Sequence, residues 1–213
     1  NNMGGTGTVK LTGYNTFNGN SGAGLEIESK GAISVNNLTA NNNTLNGTEI
    51  ANITASGITS TVTLTGLNTF NDNGSSGLKI SSKANISLVN VIANSNMVAG
   101  MIVDKSFGTG SITITGVNEF IDNSDDGARI FSIGAVTISK VTGDNNGKHG
   151  INIATSGKVS LTCGSFVSNI QYGVNIVNAQ TATLSGVISA ANTLGDVNTS
   201  GVGSLITIRN CPL

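Results

Sequence analysis

Residues 61–73 read TVTLTGLNTFNDN, and closely similar runs stand at 8–20 (TVKLTGYNTFNGN) and 111–123 (SITITGVNEFIDN). Between them lie shorter relatives, AISVNNLTANNN from Ala32 and NISLVNVIANSN from Asn85. Every run closes on an asparagine. Aligned on it, the chain shows a column of Asn20, Asn43, Asn73, Asn96, Asn123, Asn146, Asn169 and Asn192. The steps are 23 residues, apart from one of 30 and one of 27. Four residues beyond come Gly24, Gly47, Gly77, Gly100, Gly127, Gly150 and Gly173, with Asp196 breaking the series. Self-similarity at such a period is the mark of a solenoid.

The letters within each period decide which kind. After the glycine, two apolar residues flank one other: Leu25/Ile27, Leu78/Ile80, Met101/Val103, Ile151/Ile153, Val174/Ile176. A second alternating pair follows, as in Val9/Leu11, Ile33/Val35, Val62/Leu64 and Ile112/Ile114. Alternation of period two means half-buried strands. About three short strands per repeat, joined by Gly/Asn turns, make one coil. A coil cannot bury its apolar face alone, so coils must stack with parallel pairing. The expectation is all-β: one domain over 1–213, a single parallel β-helix of eight to nine coils, roughly 40 Å long at the ~4.8 Å strand spacing. A partial ninth coil is expected at Ile206 to Ile208.

Three residues before the column asparagine, size alternates: Phe17, Ala40, Phe70, Ala93, Phe120, Gly143, Phe166, Ser189. Large beside small in successive coils lets core layers interdigitate, so these rings are expected to be core fillers. The asparagines are expected to tolerate left-handed turn geometry and to bond one another along the stack. The glycines are expected either to need positive φ or to allow close backbone approach.

Charged residues are 10% of the chain and net charge is −1, with no basic run. Nucleic acid and anionic membrane surfaces, which need clustered Lys/Arg, are excluded as partners. No apolar run reaches membrane-spanning length. Two cysteines, Cys163 and Cys211, are either unpaired small residues or one bridge near the C-terminal end. Neither has a Cys or His at metal-ligand spacing, so no metal and no cofactor is expected. The chain opens inside a Gly/Asn-rich stretch and reads as part of a longer repetitive protein.

Runs such as GLEIESKGAISVNNLTANNN and GINIATSGKVSLTCGSFVSN resemble the right-handed parallel β-helix repeats of the pectate-lyase-like superfamily, over nearly the whole chain. The two-coil alternation resembles the stalk and adhesin repeats of large bacterial surface proteins more than the irregular coils of pectinases. The resemblance implies right-handedness, an extracellular or cell-surface location, and a structural or adhesive role without catalysis. Implied partners are adjoining coils, copies stacked end to end, and polysaccharide or cell-surface glycan.

The alternative is a polysaccharide-degrading enzyme. In NSDDGARI and NGKHGINI, Asp126 and His149 occupy equivalent offsets 23 residues apart, with Asp125 and Lys148 preceding them. Their arrangement resembles the acid/base positions of the polygalacturonase branch, Lys148 replacing the first glycine of Gly-His-Gly. That branch has further carboxylates one coil earlier, where Val98 and Ala99 stand here, and a downstream Arg-Ile-Lys that is missing. Inverting hydrolysis needs a second carboxylate across the scissile bond. Catalytic residues are therefore expected to be none, with Asp125, Asp126 and His149 as the candidates.

Binding candidates are the outward residues of the strand after the glycine: Glu26, Glu49, Lys79, Arg129, Asn152 and Asn175. That face is expected to lack aromatic platforms, with Tyr172 just before its strand. The second strand's outward pairs run from Lys10/Thr12 and Ser34/Asn36 through Thr63/Thr65, Ser87/Val89, Thr113/Thr115, Thr137/Ser139 and Ser160/Thr162 to Thr183/Ser185. These arrays resemble those of ice-binding solenoids, giving a third reading as an ice- or carbohydrate-binding solenoid. Insertions at 51–61 and 104–111 lengthen the same connection in alternate coils and are expected contact loops.

Overall fold

A computed structural model describes residues 1–52 and 60–211, which form one parallel β-helix with no helical element among them. The central part of the insertion expected at 51–61 lies outside the described residues.

Eight strands stack into a first face: Leu25–Glu28, Thr48–Asn52, Leu78–Ser82, Met101–Lys105, Ala128–Ser132, Ile151–Thr155, Tyr172–Val177 and Gly195–Asn198. The second face runs from Val9–Leu11 through Ile33–Asn36, Val62–Thr65, Ile86–Val89 and Ile112–Thr115. It continues through the first halves of Val136–Thr142 and Lys158–Val167 to Thr181–Ser185 and Leu205–Ile208. Short strands such as Asn15–Thr16, Leu38–Thr39, Asn68–Thr69 and Val91–Ile92 make the third face. Each coil thus carries three strands, and Leu205–Ile208 is the expected partial ninth coil.

Register never slips along the stack. Leu25, Thr48, Leu78, Met101, Ala128, Ile151, Val174 and Val197 stand in line, one per coil. A one-residue slip would turn every buried side chain outward. Phe70, Phe120 and Phe166 are fully buried, as are Ala93 between the first two and Ala40 one coil before Phe70, whereas Phe17 in the first coil is only partly buried. A Cβ built on Gly143 would lie 3.0 Å from Cδ1 of Phe166, so the small partner is what admits the ring.

The asparagine column is a complete ladder. Asn20 Nδ2 donates to Asn43 Oδ1 at 2.9 Å, and the same bond recurs at every step to Asn192, at 2.9–3.1 Å. Each Oδ1 also accepts the backbone N–H of the asparagine one coil earlier. Asp196 Oδ1 closes the row by accepting from Asn192 Nδ2.

One expectation is corrected. The left-handed residue is the one before each ladder asparagine: Asn42, Asp72, Ser95, Asp122, Asn145 and Ser168 have φ of 57–60°. The ladder residue itself must aim its amide along the stack, which fixes its backbone elsewhere. Of the two readings of the glycine column, close approach holds. A Cβ on Gly77 would lie 2.6 Å from the Phe70 carbonyl and 2.9 Å from Asn96 Nδ2.

A buried polar row governs the connection between the first and second faces. Where it is short, Ser29, Ser82, Ser132 and Thr155 each accept the N–H two residues on, at 3.0–3.1 Å. Where it is long, the equivalent residue is a longer side chain that reaches loop carbonyls. Asn52 Nδ2 donates to Gly31 O and Ser60 O. Lys105 Nζ donates to Gly108 O at 2.8 Å and Lys83 O at 3.3 Å. Burial pulls the Lys105 ammonium down to a pKa of about 8.

The cysteines are joined. Cys163 and Cys211 form a disulfide with Cα atoms 5.3 Å apart, closing the C-terminal strand onto the rod. Gly186 stands between them in the stack with φ of 57°, and a Cβ there would meet the Cys211 nitrogen at 2.5 Å.

Candidate functional site

The outward residues of the first face stand in one file, because the strands carrying them are in register: Glu26, Glu49, Lys79, Ile102, Arg129, Asn152, Asn175 and Asn198. Lys79 bridges to Glu49 at 2.8 Å. Glu26 stands one coil before Glu49, so two carboxylates precede the first cation.

The other end of the file is a directed chain of amides. Asn198 Nδ2 donates to Asn175 Oδ1 at 2.6 Å, and Asn175 Nδ2 to Asn152 Oδ1 at 2.9 Å. Asn152 Nδ2 then donates to Asp126 Oδ2 at 3.2 Å. An aspartate accepts and cannot donate when ionised, so it sets the direction of the whole row. The site thus joins three of the six binding candidates, Arg129, Asn152 and Asn175, to the catalytic candidates; Glu26, Glu49 and Lys79 form a separate group.

Asp126 is fully buried. Its Oδ2 also accepts from Arg129 Nε at 2.6 Å, and its Oδ1 accepts the backbone N–H of His149 at 3.1 Å. Arg129 reaches Asp125 through its other nitrogen, and Lys148 pairs with Asp125 at 2.8 Å. Burial tends to raise the Asp125 pKa, but bonds from Lys148 and Arg129 together with their charges outweigh it and hold the carboxyl below its usual range. The Arg129 guanidinium loses by burial and gains more from Asp126 and Asp125, so its pKa is raised.

His149 is buried, and its Nδ1 accepts the backbone N–H of Tyr172 at 3.1 Å. Only neutral imidazole with the proton on Nε2 offers that lone pair. Burial lowers its pKa, the nearby Asp126 carboxylate pulling the other way. The Tyr172 ring stacks on the imidazole, centroids 5.7 Å apart and planes 11° from parallel.

Asn46, at the same offset in the second coil, explains the arrangement. Its Oδ1 accepts the backbone N–H of Ser76, as Asp126 Oδ1 accepts that of His149 and His149 Nδ1 that of Tyr172. All three side chains satisfy a turn donor of the next coil, a need common in buried backbone. The stacking of Asp126 on His149, expected from their spacing, is present. Both carboxylates share one guanidinium, and Val98 contributes only its carbonyl, to the N–H of Asp125. Neither carboxylate faces the other across the gap that inverting hydrolysis uses.

The expectation of a face without aromatics is corrected. Tyr172 opens the strand Tyr172–Val177 itself, and Phe131, outward on Ala128–Ser132, is 39% exposed. Alternation two residues after Arg129 is the signal that places Phe131 outside. Among the described residues, no group of three or more His, Cys, Asp or Glu is placed to hold a metal ion.

No family model matches the chain, and no curated protein does. Among solved structures it is similar to the A-module of the mannuronan C-5 epimerase AlgE4 of Azotobacter vinelandii. Identity is 12% and the TM-score 0.34, over 93% of this chain and 78% of that one.

Proposed function

We propose that the chain is a structural and adhesive module of an extracellular protein, a stiff rod that contacts polysaccharide or cell-surface glycan along its first face without catalysis. The observation that carries this reading is the ladder from Asn20 to Asn192, unbroken through all eight of its asparagines. Bonds repeated at every coil stiffen a rod, and repeated outward groups give multivalent contact. The cluster richest in chemistry supports it too, since Asp126 and His149 spend their acceptors on coil-to-coil bonds.

The Cys163–Cys211 bridge supports an oxidising location, where disulfides persist. Leu205–Ile208 pairs with Thr181–Ser185 and its Leu205, Ile206 and Ile208 are exposed. Such an edge suits a further coil, from the same polypeptide or from a second copy end to end.

A screen against immobilised glycans, paired with a depolymerisation assay on acidic polysaccharides, tests the reading. The expected result is glycan retention that Asn175→Ala weakens several-fold, with no chain cleavage. Cleavage abolished by Asp126→Asn in a folded protein would overturn it in favour of a polygalacturonase-like hydrolase.

A further inference from the structure

The second face carries a pattern unlike the first. Its outward residues form two rows in register, one from Ser34 through Thr63, Ser87 and Thr113 to Thr183, the other from Asn36 through Thr65, Val89 and Thr115 to Ser185, with hydroxyls at all but Asn36 and Val89. Between those limits neither row holds a charged side chain. Rows on one strand are ~6.6 Å apart and coils ~4.8 Å apart, so the hydroxyls mark out a two-dimensional net.

Most of these hydroxyls are free of the protein. Thr63, Thr113, Thr115, Thr137, Ser160 and Thr183 make no side-chain hydrogen bond within the described residues, whereas Thr65 accepts from Asn36 and Ser185 donates to the Asn210 carbonyl. An unpaired hydroxyl at a surface bonds water, and a threonine methyl beside it restricts where that water sits. Held on a backbone whose register is constant over seven coils, the bound waters repeat as the hydroxyls do.

We infer that this face binds ice, an uncharged lattice of ordered water. The absence of charge from the rows matches a neutral lattice, since a charged group would organise water about itself. Crystalline polysaccharide offers flat C–H ring faces that aromatic side chains cover, and no aromatic stands among the outward residues of this face. The inference is independent of glycan contact on the first face.

The test is thermal hysteresis and inhibition of ice recrystallisation by the purified protein. Wild type is expected to show both. Thr113→Lys combined with Thr137→Lys is expected to abolish them while leaving circular dichroism and melting unchanged, since both side chains point outward. Asn175→Lys, on the first face, is expected to retain them. Absence of both effects in wild type would overturn the inference, as would their survival in the folded double variant. So would wild type lacking both effects but pelleting with crystalline cellulose through the same two threonines.

Discussion

The carboxylate of Asp126 accepts the backbone N–H of His149 one coil further along, at 3.1 Å. Because Arg129 and Asn152 bond the same carboxylate, one buried side chain ties together the turn, the outward file and two coils. Asp126→Ala takes from the Arg129 guanidinium one of its two carboxylates and leaves the His149 N–H without its acceptor, and is expected to cost about 3 kcal/mol. Asp126→Asn keeps an acceptor for the N–H and is expected to cost less. Urea denaturation of both variants checks the order; equal losses would mean that the charge alone matters.

The single histidine gives the chain a pH response in a window of its own. Its folded-state pKa lies below the ordinary value of about 6.5. The folded protein therefore binds fewer protons there than the unfolded chain. This contribution is fully present above pH ~6.5 and is lost as pH falls through the lowered folded value. His149→Asn supplies the acceptor that Asn46 supplies in the second coil, without titrating. Its melting temperature is expected to change less between pH 7.5 and pH 5 than that of wild type. Asp125, whose folded pKa is also lowered, contributes stability lost only at lower pH, below the ordinary carboxylate range.

Lys105 responds at the other end. With a folded value of about 8 against an ordinary 10.5, it penalises the folded state below pH 8, and the penalty eases as pH rises between the two. Thermal melts from pH 8 to pH 10 are expected to show a gain for wild type that Lys105→Met lacks. The same variant is expected to speed amide exchange in the loop after Lys105, whose Gly108 carbonyl loses its donor.

Position along the ladder sets the cost of breaking it. Asn123→Asp removes the donor to Asn146 Oδ1 and to the Ala93 carbonyl and buries a charge, at an expected cost of about 3 kcal/mol or more. Asn20→Asp, at the exposed first step, is expected to cost about 1 kcal/mol or less. Denaturant midpoints of the two variants decide whether the ladder is worth most where water is excluded.

Reduction of Cys163–Cys211 is expected to act locally. Deuterium exchange should rise across Leu205–Ile208, which pairs with a neighbour on one side, and stay slow at Asn96 and Asn123 in mid-rod. Cys163→Ser is expected to reproduce the effect without reductant; no change in exchange would show that the strand pairing alone holds this coil.

The amino-acid sequence by itself determined the solenoid, its three strands per coil, the ladder and the alternation of Phe70, Ala93 and Phe120. Each of these recurs at the coil period, so each is visible as a column. A further alternation was equally present in the letters. Asn37 and Asn90 occupy the left-handed corner where Gly66 and Gly116 stand in the next coils, and their Oδ1 atoms accept the N–H of Leu67 and Val117. Only the tertiary structure decided what one-of-a-kind residues do. Asp126, His149 and Lys105 each occur once in their columns, and no repetition marks their partners, which lie 23 and 26 residues from Asp126 and as many as 22 from Lys105. Whether Cys163 meets Cys211, 48 residues away, likewise depends on how many coils intervene and on Gly186 leaving room. A periodic contact is legible because the chain states it many times; a unique one depends on side-chain direction across coils, which linear spacing does not carry.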